Sequence, residues 1–169
     1  MVRLEEVMVI EAPIGRCFDL ARSVEVHALG NLHWGEEAVA EGGVTSGLIG
    51  LGERVTWRAR HLGVLQRLTS EITALEASGA GATAYFQDTM VRGAFKFMQH
   101  DHYFREIDAG GGLLRTEMRD VFCFAAPMGV LGRVAEELVL RRYMTNLLTE
   151  RNAVVKRVAE SSDWQQYLV

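Results

Sequence analysis

The run His100-Asp101-His102-Tyr103-Phe104 holds the residue types in this chain best suited to chemistry. Side chains alternate along an extended strand, so two histidines at i and i+2 share a face. Met98, His100, His102 and Phe104 then lie on one side, with Phe97, Gln99, Asp101, Tyr103 and Arg105 on the other. Both sides are mixed, and alternation alone does not say which is inside. The next stretch does: Thr116, Met118, Asp120, Phe122 and Phe124 form an apolar face opposite Arg115, Glu117 and Arg119. Pairing across a turn at Asp108–Gly112 brings His102 near Met118 and His100 near Asp120, which sets both histidines and Asp120 inward. On the strand before, Ala84, Phe86, Asp88 and Met90 share a face that points the same way, and His61 ends a neighbouring strand.

Buried ionisable groups are costly unless paired. A His–Asp pair in an apolar concavity therefore marks a candidate site, and three uses stay open for it. It can be a satisfied polar pair that fixes strand register, a hydrogen-bonding end for a ligand, or an acid/base pair. The catalytic candidates are His100, His102 and Asp120. The ligand-binding candidates are Trp57, His61, Phe86, Asp88, His100, His102, Phe104, Met118, Asp120 and Phe122. A metal site from His61, His100 and His102 is conceivable, but neighbours on a strand need exacting geometry and the third ligand has no fixed place. No metal and no cofactor is expected. Ser70 faces inward with nothing to set it against a histidine, and no GxSxG elbow exists. Cys123 has the parity opposite Asp120, off the site, and Arg58 and Arg60 fall on an outer, solvated face.

The elements that position these residues follow from periodicity. Leu4–Glu11 has strand character, ended by Ala12-Pro13, and Pro13 opens a short helix. Ser23 is suited to cap a second short helix that ends near Gly30-Asn31. Trp34–Ala40 is a further strand. Gly47, Gly50 and Gly52 break up an apolar stretch that fits a mobile flap beside a pocket; it lacks the Lys-Ser/Thr ending of a phosphate loop. In Glu53–His61 the residues Val55, Trp57 and Ala59 share a face. A two-residue turn at Leu62-Gly63 then opposes His61 to Val64, Ala59 to Gln66 and Trp57 to Leu68, so the apolar faces coincide. Strands at Ala84–Met90, Phe95–Ile107 and Leu113–Phe124 complete the sheet. From Pro127 to about residue 160 an apolar stripe at helical spacing, including Leu131, Val134, Leu138, Met144, Leu147, Val154 and Val158, predicts a long C-terminal helix. Strands framed by helices give an α+β class in one domain, 1–169, with the sheet wrapped on that helix.

Composition limits the function. Of 169 residues 49% are hydrophobic and 24% charged, as in a globular protein. A net charge of −4 offers no footprint for a phosphate backbone, so no nucleic-acid partner is expected. Cys17 and Cys123 lack metal or redox spacing, and two reduced thiols is the simpler reading. No apolar run reaches the roughly 18 residues of a membrane span. A cytoplasmic protein, monomer or homodimer, is expected.

The order of motifs resembles a known family. Ile10-Glu11-Ala12-Pro13 leads into a short helix, followed by Gly50-Leu51-Gly52-Glu53-Arg54-Val55-Thr56-Trp57. Then come Phe86-Gln87-Asp88, Met90-Val91-Arg92-Gly93-Ala94-Phe95, the His100–Phe104 run, Asp120-Val121-Phe122, and Pro127-Met128-Gly129 before an arginine-rich terminal helix. This pattern resembles the START-like, or SRPBCC, superfamily in its bacterial ligand-binding or polyketide cyclase/dehydrase-like branch. The resemblance implies a helix-grip fold, with a curved seven-stranded antiparallel sheet around the C-terminal helix, two short N-terminal helices and an internal cavity. It implies binding of an apolar small molecule, lipid- or polyketide-like, with a cyclase/dehydratase-type enzyme as the alternative. The family has no universal catalytic residue, so none is carried over.

Overall fold

The computed structural model describes residues 1–61, 63–77, 82–108, 114–127, 129 and 139–168. Seven strands form one antiparallel sheet: β1 (Val2–Ile10), β2 (Glu37–Val39), β3 (Arg54–His61), β4 (Val64–Glu76), β5 (Thr83–Arg92), β6 (Phe97–Asp108) and β7 (Leu114–Ala125). Their order is β1-β7-β6-β5-β4-β3-β2. The chain thus starts on one edge and crosses to the other through helices α1 (Ile14–Arg22) and α2 (Val24–Gly30) before returning strand by strand. Helix α3 (Arg141–Glu160) closes the concave side. The fold is α+β and helix-grip, as the sequence implies. The expected helix from Pro127 onward falls partly outside the described residues, as does most of the turn expected at Asp108–Gly112.

Alternation sets the faces. In β1 the even positions Val2, Leu4 and Ile10 are buried, while Val7 and Val9 are exposed. The β3–β4 hairpin has the expected register, His61 opposite Val64 and Trp57 opposite Leu68. Its turn needs a left-handed residue, and Gly63 supplies it at φ 80°. The β6–β7 register differs from expectation by two residues: His102 faces Asp120 and His100 faces Phe122. A two-residue slip keeps every side chain on its own face, which is why the inward assignment survives it. Between β4 and β5 the register shifts at Thr69/Ser70 and again at Ile72/Ala74. Such bulges bend a sheet.

The core has two parts on either side of a polar layer. Val154, Val155, Val158 and Ala159 of α3 pack with Ile10, α1 and α2 in one cluster. Met144 and Leu148, a turn or two earlier, pack with Val2, Met98, Phe122 and Phe124 in the other. Arg151 and Asn152 lie between them and are also buried. Helix α2 reaches α3 at this level through Gly30, where a β-carbon would stand 3.0 Å from the Arg151 Cα. The expected mobile flap is instead tied down. Val24 N–H donates to the Gly47 carbonyl and Ile49 N–H to the Arg22 carbonyl, while the Gly47 N–H donates to Glu25. Gly52 N–H donates to the Ile72 carbonyl. These bonds satisfy backbone groups that glycines alone would leave loose.

Candidate functional site

Three adjacent strands and one helix build the inner polar cluster. Asp88 on β5 lies directly across from His100 on β6, and His102 directly across from Asp120 on β7. His102 Nδ1 is 2.9 Å from Asp120 Oδ1, and its Nε2 is 3.4 Å from Asp88 Oδ1. His100 Nε2 is 3.5 Å from Asp120 Oδ2, and its Nδ1 is 3.9 Å from Asp88 Oδ1. From α3, Arg151 Nη2 donates to Asp120 Oδ2 at 2.9 Å. The two terminal nitrogens of Arg151 also stand 3.4 Å from the two nitrogens of His100. Phe86 stacks on His102 with ring centres 4.0 Å apart, and Phe122 meets His100 edge-on at 5.1 Å.

Charge is distributed unevenly in this cluster. Burial disfavours an ionised Asp120, yet the two histidines and their hydrogen bonds hold its carboxyl well below the usual range. Asp88 is lowered too: burial acts against it, and the His102 bond and the charge of both histidines outweigh burial. Burial also opposes a charged His102, but Asp120 and Asp88 raise it above an ordinary histidine. His100 goes the other way, to about 4, through burial and the positive charge of His102 and Arg151. Two histidines two positions apart thus differ because His102 lies closer to both carboxylates and His100 lies against the positive charge of His102 and Arg151.

A second, outer cluster is centred on Glu36. Its Oε1 accepts from His27 Nε2 and from Asn31 Nδ2, both at 2.8 Å, and its Oε2 is 3.9 Å from His61 Nε2. His61 Nδ1 bonds the Tyr143 hydroxyl at 2.7 Å, and His27 stacks on Trp57 at 4.0 Å. Burial alone would raise Glu36, but the His27 and Asn31 bonds bring it below its ordinary value. Burial lowers His61 against the pull of Glu36. Tyr143 is pushed up to about 12 by burial and by the carboxylates of Glu36 and Glu150.

Between the clusters is a cavity of about 230 Å³. One water needs only ~10–15 Å³ of such space, so the volume far exceeds hydration of the polar groups. Ile49, Val55, Ile72, Met98, Leu147 and Leu148 are among its apolar walls. Asp88, His100, His102 and Arg151 of the inner cluster and His27, Asn31, Glu36, His61 and Tyr143 of the outer one also line it.

No protein-family model matches the sequence, and no curated protein matches it. Solved structures do match. The protein TTHA0849 from Thermus thermophilus superposes with a TM-score of 0.60 at 16% identity, covering 94% of this chain and 99% of that one. Ginseng major latex-like protein 151 from Panax ginseng gives 0.53 at 14% identity, over 95% and 98% of the two chains. The di-domain ARO/CYC StfQ from the steffimycin biosynthetic pathway gives 0.56 at 14% identity, over 93% of this chain and 45% of StfQ. The chain has the START-like, helix-grip fold.

Within the helix-grip fold the sequence candidates divide into wall, backing and core. Trp57, His61, Phe86, Asp88, His100, His102 and Phe122 line the cavity. Asp120 lies behind the histidines, fully buried, and touches the site through them. Phe104 and Met118 lie in the packed core, where Phe104 meets Phe18 edge-on and stacks with Phe86. Their strand parity is inward, but the sheet next to α1 is filled by that helix. His61 stands with Glu36 and Tyr143, outside the group of Asp88, His100 and His102. Ser70 lines the cavity and Cys123 faces away from it.

Sequence reasoning missed Arg151, Asn31, Glu36, His27 and Tyr143. Arg151 had a visible signal: it falls four residues after Leu147 and three before Val154, on the buried stripe itself. A charge at that spacing needs a buried partner. The Glu36 group had no such signal, since its members come from α2, a loop, the end of β3 and the start of α3.

Proposed function

We propose that the protein binds a hydrophobic small molecule, lipid- or polyketide-like, in the cavity between the sheet and α3. The observation that carries this reading is the cavity itself: an apolar middle of about 230 Å³ with hydrogen-bonding groups at both sides. Binding sites of this kind combine apolar walls with a few placed polar groups. Trp57, Phe86 and Phe122 offer flat surfaces to the ligand body, and Asp88, His102 and the Glu36 group meet its polar atoms. The likeness to StfQ reaches the fold, and the ligand class rests on the cavity. Native mass spectrometry of the purified chain, followed by denaturation and organic extraction, tests the proposal. A stoichiometric apolar compound released on denaturation supports it. A chain that is recovered bare and takes up no lipid or polyketide probe argues against it.

A second reading, a cyclase/dehydratase-type enzyme in the same cavity, has one observation in its favour. His102 lines the cavity and is held by Asp120 at 2.9 Å, as a positioned proton-transfer group requires. His102→Ala separates the two. A carrier loses selectivity or some affinity, whereas an enzyme loses turnover by orders of magnitude and still binds.

A further inference from the structure

Asp88, His100 and His102 each present one ligand atom, and those three atoms lie within 4.8 Å of one another. Asp88 Oδ1 is 3.4 Å from His102 Nε2 and 3.9 Å from His100 Nδ1. Two ligand atoms bonded at ~2.1 Å to a tetrahedral ion stand about 3.4 Å apart. The Asp88–His102 spacing already matches that edge, the Asp88–His100 spacing exceeds it by about 0.5 Å, and the two histidine nitrogens lie within 4.8 Å of each other.

Orientation points the same way. Asp120 faces the opposite nitrogens, His102 Nδ1 with one oxygen and His100 Nε2 with the other. Ring N–H groups turned toward Asp120 leave the lone pairs of His102 Nε2 and His100 Nδ1 aimed at Asp88. A carboxylate behind each ligand histidine is the usual second layer of a metal site, and here one carboxylate serves two rings. All four residues sit on neighbouring central strands, so the ligand set is held by the sheet rather than by a loop. The cavity adjoins the three ligands and leaves a remaining position open to water or to a ligand oxygen.

We propose that Asp88, His100 and His102 form a binding site for a divalent transition-metal ion of the Zn2+ type, oriented by Asp120. Two imidazoles and one carboxylate suit Zn2+, Co2+ or Fe2+ rather than Mg2+ or Ca2+, which prefer all-oxygen sets. His61 takes no part, because it is engaged with Glu36 and Tyr143. Arg151 opposes the ion: its guanidinium is 3.4 Å from His100 and adds positive charge. An ion on His102 Nε2 leaves no proton there, so the metal and acid/base readings are alternatives. Metal binding does not depend on the apolar-ligand reading and is measured without any organic ligand.

The test uses the full chain, stripped with a chelator and dialysed. It is titrated with Zn2+ by calorimetry and with Co2+ by visible absorption. One ion per chain is expected, with intense Co2+ bands of four- or five-coordinate type. His100→Ala, His102→Ala and Asp88→Asn should each weaken binding by about 100-fold or more, and Asp120→Asn by roughly 10–100-fold. Arg151→Gln should tighten it several-fold, since it removes a nearby positive charge and leaves Asp120 a stronger acceptor. Absence of stoichiometric uptake overturns the proposal, as does unchanged affinity in folded His100→Ala and His102→Ala chains. Where the variants fail to fold, the wild-type Co2+ spectrum decides: weak, water-like octahedral bands overturn the proposal and intense bands support it.

Discussion

The two polar clusters of the cavity both set histidines against carboxylates and differ in what holds them. The inner one rests on β5, β6 and β7, with two carboxylates, two histidines and one arginine nearly all buried. The outer one gathers His27, Asn31, His61 and Tyr143 around the single carboxylate of Glu36, and its histidine side chains are 23% and 21% exposed. Inside, every charge has an opposite charge at bonding distance, and losing one strands another in a dry region. Outside, water reaches the two histidines, though not the buried Glu36 and Asn31, and can replace a lost histidine contact. Burial, more than residue type, therefore sets how much each side chain contributes.

The largest test of this contrast is Arg151→Ala, which removes one of the two cationic partners of the buried Asp120 and leaves only His102. Urea unfolding should show a loss of about 3–5 kcal/mol. A loss below ~1 kcal/mol would mean that the inner cluster is as forgiving as the outer one. Glu36→Gln comes next: it keeps the shape but weakens three charge-assisted contacts, and about 1–3 kcal/mol should be lost in the same assay. If it costs more than Arg151→Ala, the ranking by burial is broken. Tyr143→Phe removes only the hydroxyl bonded to His61 and should cost ~0.5–1.5 kcal/mol.

The smallest effect is the pH response of His61. Its folded value lies below that of an unfolded histidine, near 6.5. As pH falls through 6.5 the unfolded chain takes up a proton first, so stability drops between 6.5 and the lower folded value and is full above 6.5. Unfolding midpoints at pH 7.5 and pH 5.5 should therefore fall further in the wild type than in His61→Gln. Equal slopes would remove His61 from the outer cluster's account. A separate variant, Ile49→Trp, fills the cavity from the loop side and should lower the uptake of an apolar dye by about tenfold or more, at ~1–3 kcal/mol of overpacking.

Much of the inner cluster was legible because alternation is robust. His100, His102, Asp120 and Asp88 share a face whether or not the β6–β7 register is exact, since a slip of two residues preserves parity. The slip still changed the partners. It placed His102, not His100, directly opposite Asp120, and so decided which ring lies closer to the two carboxylates. Arg151 was readable from helical spacing, but only Asp120 across the cavity shows why a charge is tolerated there. Phe104 and Met118 looked like wall residues because parity says inward without saying what fills the space. Helix α1 fills it.

Local periodicity in the sequence by itself determined the strands, their buried faces, the capped short helices and the apolar stripe of the C-terminal helix. Each of those depends on residues within a few positions of one another. The tertiary structure alone decided the β4–β5 bulges, the pairing of His102 with Asp120, the assembly of the Glu36 group and the gap left between sheet and helix. These depend on segments far apart in the chain. The physical reason is that face and period are properties of a single strand or helix, whereas register and cavity are set by how several of them close around one another.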